Sequence, residues 1–147
     1  MRNELSILKI GGALITDKSK GVFNVAKLEV INEFCEAISS SRNLILVHGA
    51  GSFGHPYVEK YNLKEVENLK GIVETHIACK KLNEIICSSL LKHNAIPYPI
   101  HPFSSFKIDK KLVFDVDFIL KLISKGFIPI THGDFVYNAK TSKFEVL

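Results

Sequence analysis

Gly49, Gly51 and Gly54 stand directly after the apolar run Leu44 to Val47 and directly before His55, Pro56, Tyr57 and Val58. Glycines at this spacing let the chain turn tightly and bring backbone N–H groups close to a ligand. The apolar, partly β-branched run has the composition of a buried parallel strand. Pro56 suits the first turn of a helix. Strand, glycine loop and helix N-terminus together make a phosphate site, because unpaired amides and the helix dipole both point at the anion. Two cations sit where they could serve it. Lys9 precedes the Gly11-Gly12 pair by one residue, at the carboxyl end of the strand Leu5 to Ile10. Open α/β sheets bind ligands at that end, and a lysine there is a compact point charge for phosphate oxygens. Lys18, just beyond the glycine turn, could return to the same spot, and it also fits a solvated surface lysine.

Two other readings compete for the glycine loop. A glycine cluster after a strand can be no more than a turn. Gly49-x-Gly51-x-x-Gly54 also spells the dinucleotide fingerprint. That fingerprint needs a second strand ending in an acid about twenty residues on. The corresponding stretch, Lys64 to Lys70, is charged and leads into a helix. The dinucleotide reading loses.

The elements that must position these residues follow from pattern. Asn24 can cap a helix from about Val25 to Ser40, with Leu28, Ile31, Phe34, Cys35 and Ile38 on its buried face. With the flanking strands this forms a β-loop-α-β unit, whose crossover should be right-handed and whose strands should be parallel. A long helix is expected from about Glu67 to Asn94, its apolar face carrying Leu69, Ile72, Val73, His76, Ile77, Leu82, Ile85, Ile86 and Leu90. His76 reads there as a packed histidine rather than a ligand. Ala95 to Ile100, with two prolines, suits an edge or irregular strand. His101 to Ser105 reads as loop, with Ser104 and Ser105 near a ligand or capping turns. Lys110 to Phe114 reads as a short strand. Asp115 caps a helix to about Lys125, with Val116, Ile119, Leu120 and Ile123 inward and Gly126 stopping it. Phe127 to Thr131 is a further strand, ending in His132-Gly133-Asp134. Phe135–Tyr137 and Phe144–Leu147 flank a hairpin turn. Asp134 reads equally as a turn residue and as a ligand residue.

Bulk properties narrow the class. A chain of 147 residues, 46% hydrophobic and 23% charged, can bury one real core and has ordinary globular composition. Its net charge of +4 is dispersed rather than gathered into a stripe, which argues against nucleic acid. Cys35, Cys79 and Cys87 are odd in number and widely spaced, as in a reduced, cytoplasmic protein. The histidines lack zinc-ligand spacing, so no metal site is expected. No apolar run is long enough for a bilayer, and the first residues read as strand rather than cleavable signal.

Taken in order, Lys9-Ile-Gly-Gly-Ala13, Lys18, His48-Gly-Ala-Gly-Ser-Phe-Gly-His55 and His132-Gly-Asp134 resemble the isopentenyl phosphate kinases of the amino acid kinase superfamily. Gly71 to Asn83 is similar to that family's long helix beside the substrate. The glycine loop ending in histidine is the specific part of the match, whereas Lys-x-Gly-Gly marks only the superfamily. The resemblance implies an α/β fold, a three-layer αβα sandwich with a mainly parallel sheet and a C-terminal β-hairpin. It implies transfer of the ATP γ-phosphoryl group to isopentenyl phosphate, with ATP entering as its Mg2+ complex and no tightly bound cofactor. Lys9 and Lys18 would neutralise the transferring group, and the backbone at Gly11 and Gly12 would hold the ATP phosphates. Gly49, Ala50, Gly51, Ser52 and Gly54 would cradle the acceptor phosphate, His55 would hydrogen-bond it, and Asp134 would lie beside it. The family pattern departs at Ala13, where serine is common. The match covers the first half to three-fifths of a family member. Residues 1–147 are therefore expected to be the acceptor- and phosphate-binding portion, with the nucleotide-binding portion absent. A homodimer is implied, or a partner chain that supplies the missing portion. The rivals are another superfamily kinase with a small anionic acceptor, and a phosphate-binding remnant without kinase activity.

Overall fold

A computed structural model describes residues 4–147. Its elements run β1 (Ser6–Ile10), α1 (Gly12–Ile15), α2 (Leu28–Ile38), β2 (Leu44–His48), α3 (His55–Lys60), α4 (Leu69–Lys92), β3 (Pro97–Pro99), α5 (Pro102–Ser105), β4 (Lys107–Asp109), β5 (Lys111–Val113), α6 (Val116–Ser124), β6 (Ile128–His132), β7 (Phe135–Asn138) and β8 (Lys143–Val146). A single 3₁₀ turn, Gly51–Phe53, lies between β2 and α3. The fold is α/β. The main sheet has the order β1-β2-β6-β3 and all its pairings are parallel. A second, mixed sheet of order β5-β4-β7-β8 contains the expected hairpin of β7 and β8.

Register decides what reaches the carboxyl edge of the main sheet. Lys9 pairs with Val47, Ile10 with His48, and His48 in turn with His132. Both His-Gly corners therefore leave neighbouring strands at the same level. Beneath them, Leu46 and Ile130 are fully buried and pack with Leu82, Ile86 and Leu90 of α4 and with Ile31 and Cys35 of α2. Burying side chains of this size contributes about 1.5–3 kcal/mol each before conformational entropy is charged. The proline-bearing strand β3 takes the outer edge, beside β6, where a missing N–H costs least.

Several elements differ from expectation for identifiable reasons. The helix expected from Val25 starts at Leu28, because the segment before it is held extended. Thr16 bridges Ala26, and the Lys27 amide donates to Ile15 O. Asn24 caps nothing. It takes a left-handed φ of 55°, and its side-chain amide donates to the Tyr57 hydroxyl at 2.7 Å. On α4 the buried stripe is Ile72, Thr75, Cys79, Leu82, Ile86 and Leu90, while Leu69, Val73 and Ile77 are exposed. Leu28 on α2 and Val116 and Leu120 on α6 are exposed too, and Leu122 is the residue α6 buries. The segment after His101 is a short helix rather than loop. The strand expected near Lys110 is two strands, because Lys110 takes φ 60° and turns β4 back onto β5. Other caps stand as the side chains dictate. Asn68 accepts from Gly71 N at 3.0 Å to start α4, and Asp115 accepts from Phe118 N at 2.8 Å to start α6.

The corrected face of α4 is testable. Leu82→Ala should cost about 3 kcal/mol of stability in denaturant unfolding, as a fully buried leucine does. Leu69→Ala should stay within about 0.5 kcal/mol, as an exposed substitution does. Equal losses would contradict the observed orientation.

Candidate functional site

The two glycine turns interlock, backbone against backbone. A Cβ at Gly12 would overlap the Gly51 nitrogen, and one at Gly49 would lie 2.5 Å from the Gly12 nitrogen. Gly51 also needs its left-handed φ of 51°, and a side chain there would run into the Thr16 hydroxyl. That hydroxyl, fully buried, donates to Gly12 O at 2.7 Å and accepts from Ser52 N at 3.0 Å. Thr16 thus ties one turn to the other, a role that leaves no local sign in the sequence.

This packing leaves particular amides unspent. Gly49 N donates to Ile10 O, Phe53 N to Ala50 O and Gly54 N to Gly51 O. Among the described residues, the amides of Ala50 and Gly51 have no protein acceptor. Unpaired amides at a helix entry are the donors an anion site requires. Ser52 is committed elsewhere: its hydroxyl lies 3.2 Å from both Val25 N and Val25 O.

A cleft of about 330 Å³ opens beside this loop. Lys9, Gly49, Ala50, Gly54, His55 and Asp134 all line it, so six of the expected site residues come together. Its walls are otherwise largely apolar, with Val47, Val58, Cys79, Phe135 and Val146. Burial pushes the Cys79 thiol well above its ordinary pKa, and the Asp134 carboxylate adds to the effect, so Cys79 stays a neutral wall residue. Thr131 lines the cleft as well, and its buried hydroxyl has no partner among the described residues. A buried hydroxyl left unpaired invites a ligand atom. Lys18 is placed differently. It lines a neighbouring, more polar cleft of about 540 Å³ with Lys20, Lys60, Gly51 and Ser52. His55 lines both clefts and stands on the wall between them. Gly11 and Gly12 line neither.

A histidine cluster forms part of the cleft floor, with His48 and His132 among its lining residues. His48 and His132, each 1% exposed, stack with ring centroids 5.3 Å apart. His48 Nδ1 lies 3.0 Å from Gly49 O, and Asn83 Nδ2 lies 3.0 Å from His48 Nε2. His132 Nδ1 lies 3.0 Å from Gly133 O, and His101 Nδ1 lies 2.8 Å from His132 Nε2. Asp134 is completely buried. One carboxylate oxygen accepts from His76 Nδ1 at 2.7 Å and the other from Phe135 N at 2.8 Å. His76 is packed as expected, stacked on Phe103, yet its ring nitrogen is engaged by an acid from another strand. Burial lowers the His48 pKa to about 3. It also lowers those of His132 and His101, with neighbouring imidazoles adding to the effect.

The amino acid kinase family model matches residues 4–145. The isopentenyl phosphate kinase of Methanocaldococcus jannaschii is 31% identical over an alignment covering 92% of this chain and 58% of that protein. That of Methanothermobacter thermautotrophicus is 32% identical, with 96% and 58% covered. A solved structure of isopentenyl phosphate kinase superposes with a TM-score of 0.83 at 29% identity, covering 96% of this chain and 61% of that one. The chain thus spans about three-fifths of the length of these relatives.

Two measurements probe the scaffold of the site. Thr16→Val should cost about 1–3 kcal/mol of stability by stranding the Ser52 amide, whereas Thr16→Ser, losing a methyl alone, should cost about 1 kcal/mol. For His48, the unfolded ring takes a proton near pH 6.5 and the folded ring only near 3. Its stabilising contribution is therefore full above pH 6.5 and is lost progressively as the pH falls toward 3. Urea unfolding across that window should show a shallower acid loss for His48→Asn than for the native chain.

Proposed function

The chain belongs to the amino acid kinase family, and from that premise we propose that its apolar-walled cleft takes isopentenyl phosphate as a phosphoryl acceptor. The product would be isopentenyl diphosphate, for isoprenoid synthesis, with ATP supplied as its Mg2+ complex. The relatives named isopentenyl phosphate kinase support this reading. The observation that carries it is the convergence of Lys9, His55 and the Ala50 amide, which has no protein acceptor among the described residues, on a cleft with Val47, Val58, Cys79, Phe135 and Val146 in its wall. The polar end suits a phosphate and the apolar wall suits a short hydrocarbon tail. An amino acid acceptor would need further charged partners, and beyond Lys9 and His55 the charged lining residue is Asp134, whose carboxylate is taken by His76 and Phe135 N. Val73 and Ile77 of α4, though apolar, are exposed and do not line the cleft.

The chemistry asks for positioning and charge, since phosphoryl transfer spreads charge over oxygens that fixed donors and cations can stabilise. The acceptor is already an anion, so a general base has little to do. In this reading His55, on the wall between the clefts, donates a hydrogen bond to the acceptor phosphate. Lys9 stands over the acceptor side and Lys18 over the neighbouring cleft, giving each bound phosphate a cation. The backbone at Gly11 and Gly12 approaches the ATP phosphates. The remaining nucleotide contacts would come from a further portion of the protein or a partner chain, and the working enzyme is proposed to be a homodimer.

Calorimetric titration of isopentenyl phosphate into the 147-residue chain tests the acceptor half directly. His55→Ala should weaken binding about tenfold to a hundredfold, the worth of one charge-assisted hydrogen bond. Lys9→Ala should act mainly on turnover once the enzyme is complete. Preferential binding of acetylglutamate or UMP would replace the acceptor, and binding with no ATP consumption would mark this chain as an acceptor-binding piece alone.

A further inference from the structure

The histidine pair in the cleft floor has a wiring that the reaction itself does not explain. His48 and His132 occupy paired register positions on β2 and β6, and each is followed by a glycine whose carbonyl lies 3.0 Å from that histidine's own Nδ1. A carbonyl can only accept, so Nδ1 carries the proton in both rings. The Nε2 atoms must then accept when the rings are neutral. Each meets a donor from another element. Asn83 on α4 offers its amide to His48, and His101 offers Nδ1–H to His132 at 2.8 Å. Burial lowers the pKa of both partners of the His132–His101 pair, in keeping with neutral rings.

The orientation of two amides follows. In a trans peptide the C=O and the next residue's N–H point in opposite directions. Holding Gly49 O on the His48 ring turns the Ala50 N–H away from that ring, and holding Gly133 O on His132 does the same for the Asp134 N–H. Both amides lack a protein acceptor among the described residues, and Ala50 and Asp134 both line the cleft. The carboxylate of Asp134 is spent on His76 and Phe135 N, so its backbone is what this residue has left to offer.

We propose that Asn83 and His101 are positioning residues: by donating to Nε2 of His48 and His132 they fix the Nδ1–H tautomer of each, which pins the glycine carbonyls and aims the Ala50 and Asp134 amides at the ligand's anionic group. The tautomer part stands on geometry alone, while its effect on ligand rests on the acceptor reading above.

The test is two-bond nitrogen–proton NMR of the histidine rings in the full chain, joined to titration with isopentenyl phosphate. Native His48 and His132 should both report as Nδ1–H, with unprotonated Nε2. His101→Phe should mix the tautomers of His132 and weaken binding about threefold to tenfold, one neutral hydrogen bond's worth. His101→Asn, whose side-chain amide can donate from a similar position, should restore both. An Nε2–H signal in the native rings overturns the proposal. So does a His101→Phe variant, folded by circular dichroism, whose His132 spectrum and affinity are unchanged. If the native chain binds no isopentenyl phosphate, the acceptor reading fails, and the ring spectra still decide the tautomers.

Discussion

Backbone-to-backbone contact between two glycine turns is the constraint from which the site follows. At the ends of β1 and β2 the chain must turn within van der Waals reach of itself, and only residues without Cβ permit that approach at Gly12, Gly49 and Gly51. Once the turns touch, their amides cannot all find partners. Thr16 satisfies Ser52, the strand and turn carbonyls satisfy Gly49, Phe53 and Gly54, and the Ala50 and Gly51 amides find no acceptor among the described residues. The site is thus made of what the fold could not use internally. In the acceptor reading, an anion at that point would complete the hydrogen bonding, with Lys9 and His55 supplying the charge and the further donor.

Parallel register then sets a second layer behind the first. Because β2 and β6 align His48 with His132, the His-Gly corners repeat side by side, and α4 runs across them with His76, Cys79 and Asn83. The polar groups in this layer are buried, which would be costly if unpaired. Most are paired, imidazole to carbonyl, amide to imidazole and carboxylate to imidazole, and the Thr131 hydroxyl beside them has no partner among the described residues.

Local pattern made part of this legible. The strand, the glycine loop and the helix entry at His55 are written in consecutive residues, and so is the hairpin of β7 and β8. The extent of α4 was readable too, since its buried residues recur at helical spacing. What local pattern cannot carry is which side of an ambiguous stripe wins. Leu69, Val73 and Ile77 fit the periodicity of α4 and are exposed because Ile72, Thr75 and Cys79 take the buried side of the helix. Asn24 has the right chemistry for a cap, and a tyrosine far along the chain claimed it first. Asp134 could be suspected as a ligand residue from its motif. Its bond to His76, 58 positions away, leaves no local trace. Thr16 and Thr131 carry no motif at all, and their importance shows only when donors and acceptors are matched in three dimensions.

The breadth of the cleft's lining has a thermodynamic corollary. Its walls are drawn from β1, β2, α3, α4, β6, β7 and β8, segments that lie together only in the native chain. A molecule held there acts as a non-covalent cross-link with no counterpart in the denatured ensemble. By mass action, saturation at a hundred times the dissociation constant would deepen the native well by about 2.7 kcal/mol. Occupancy of this one cavity is therefore coupled to the integrity of both sheets at once.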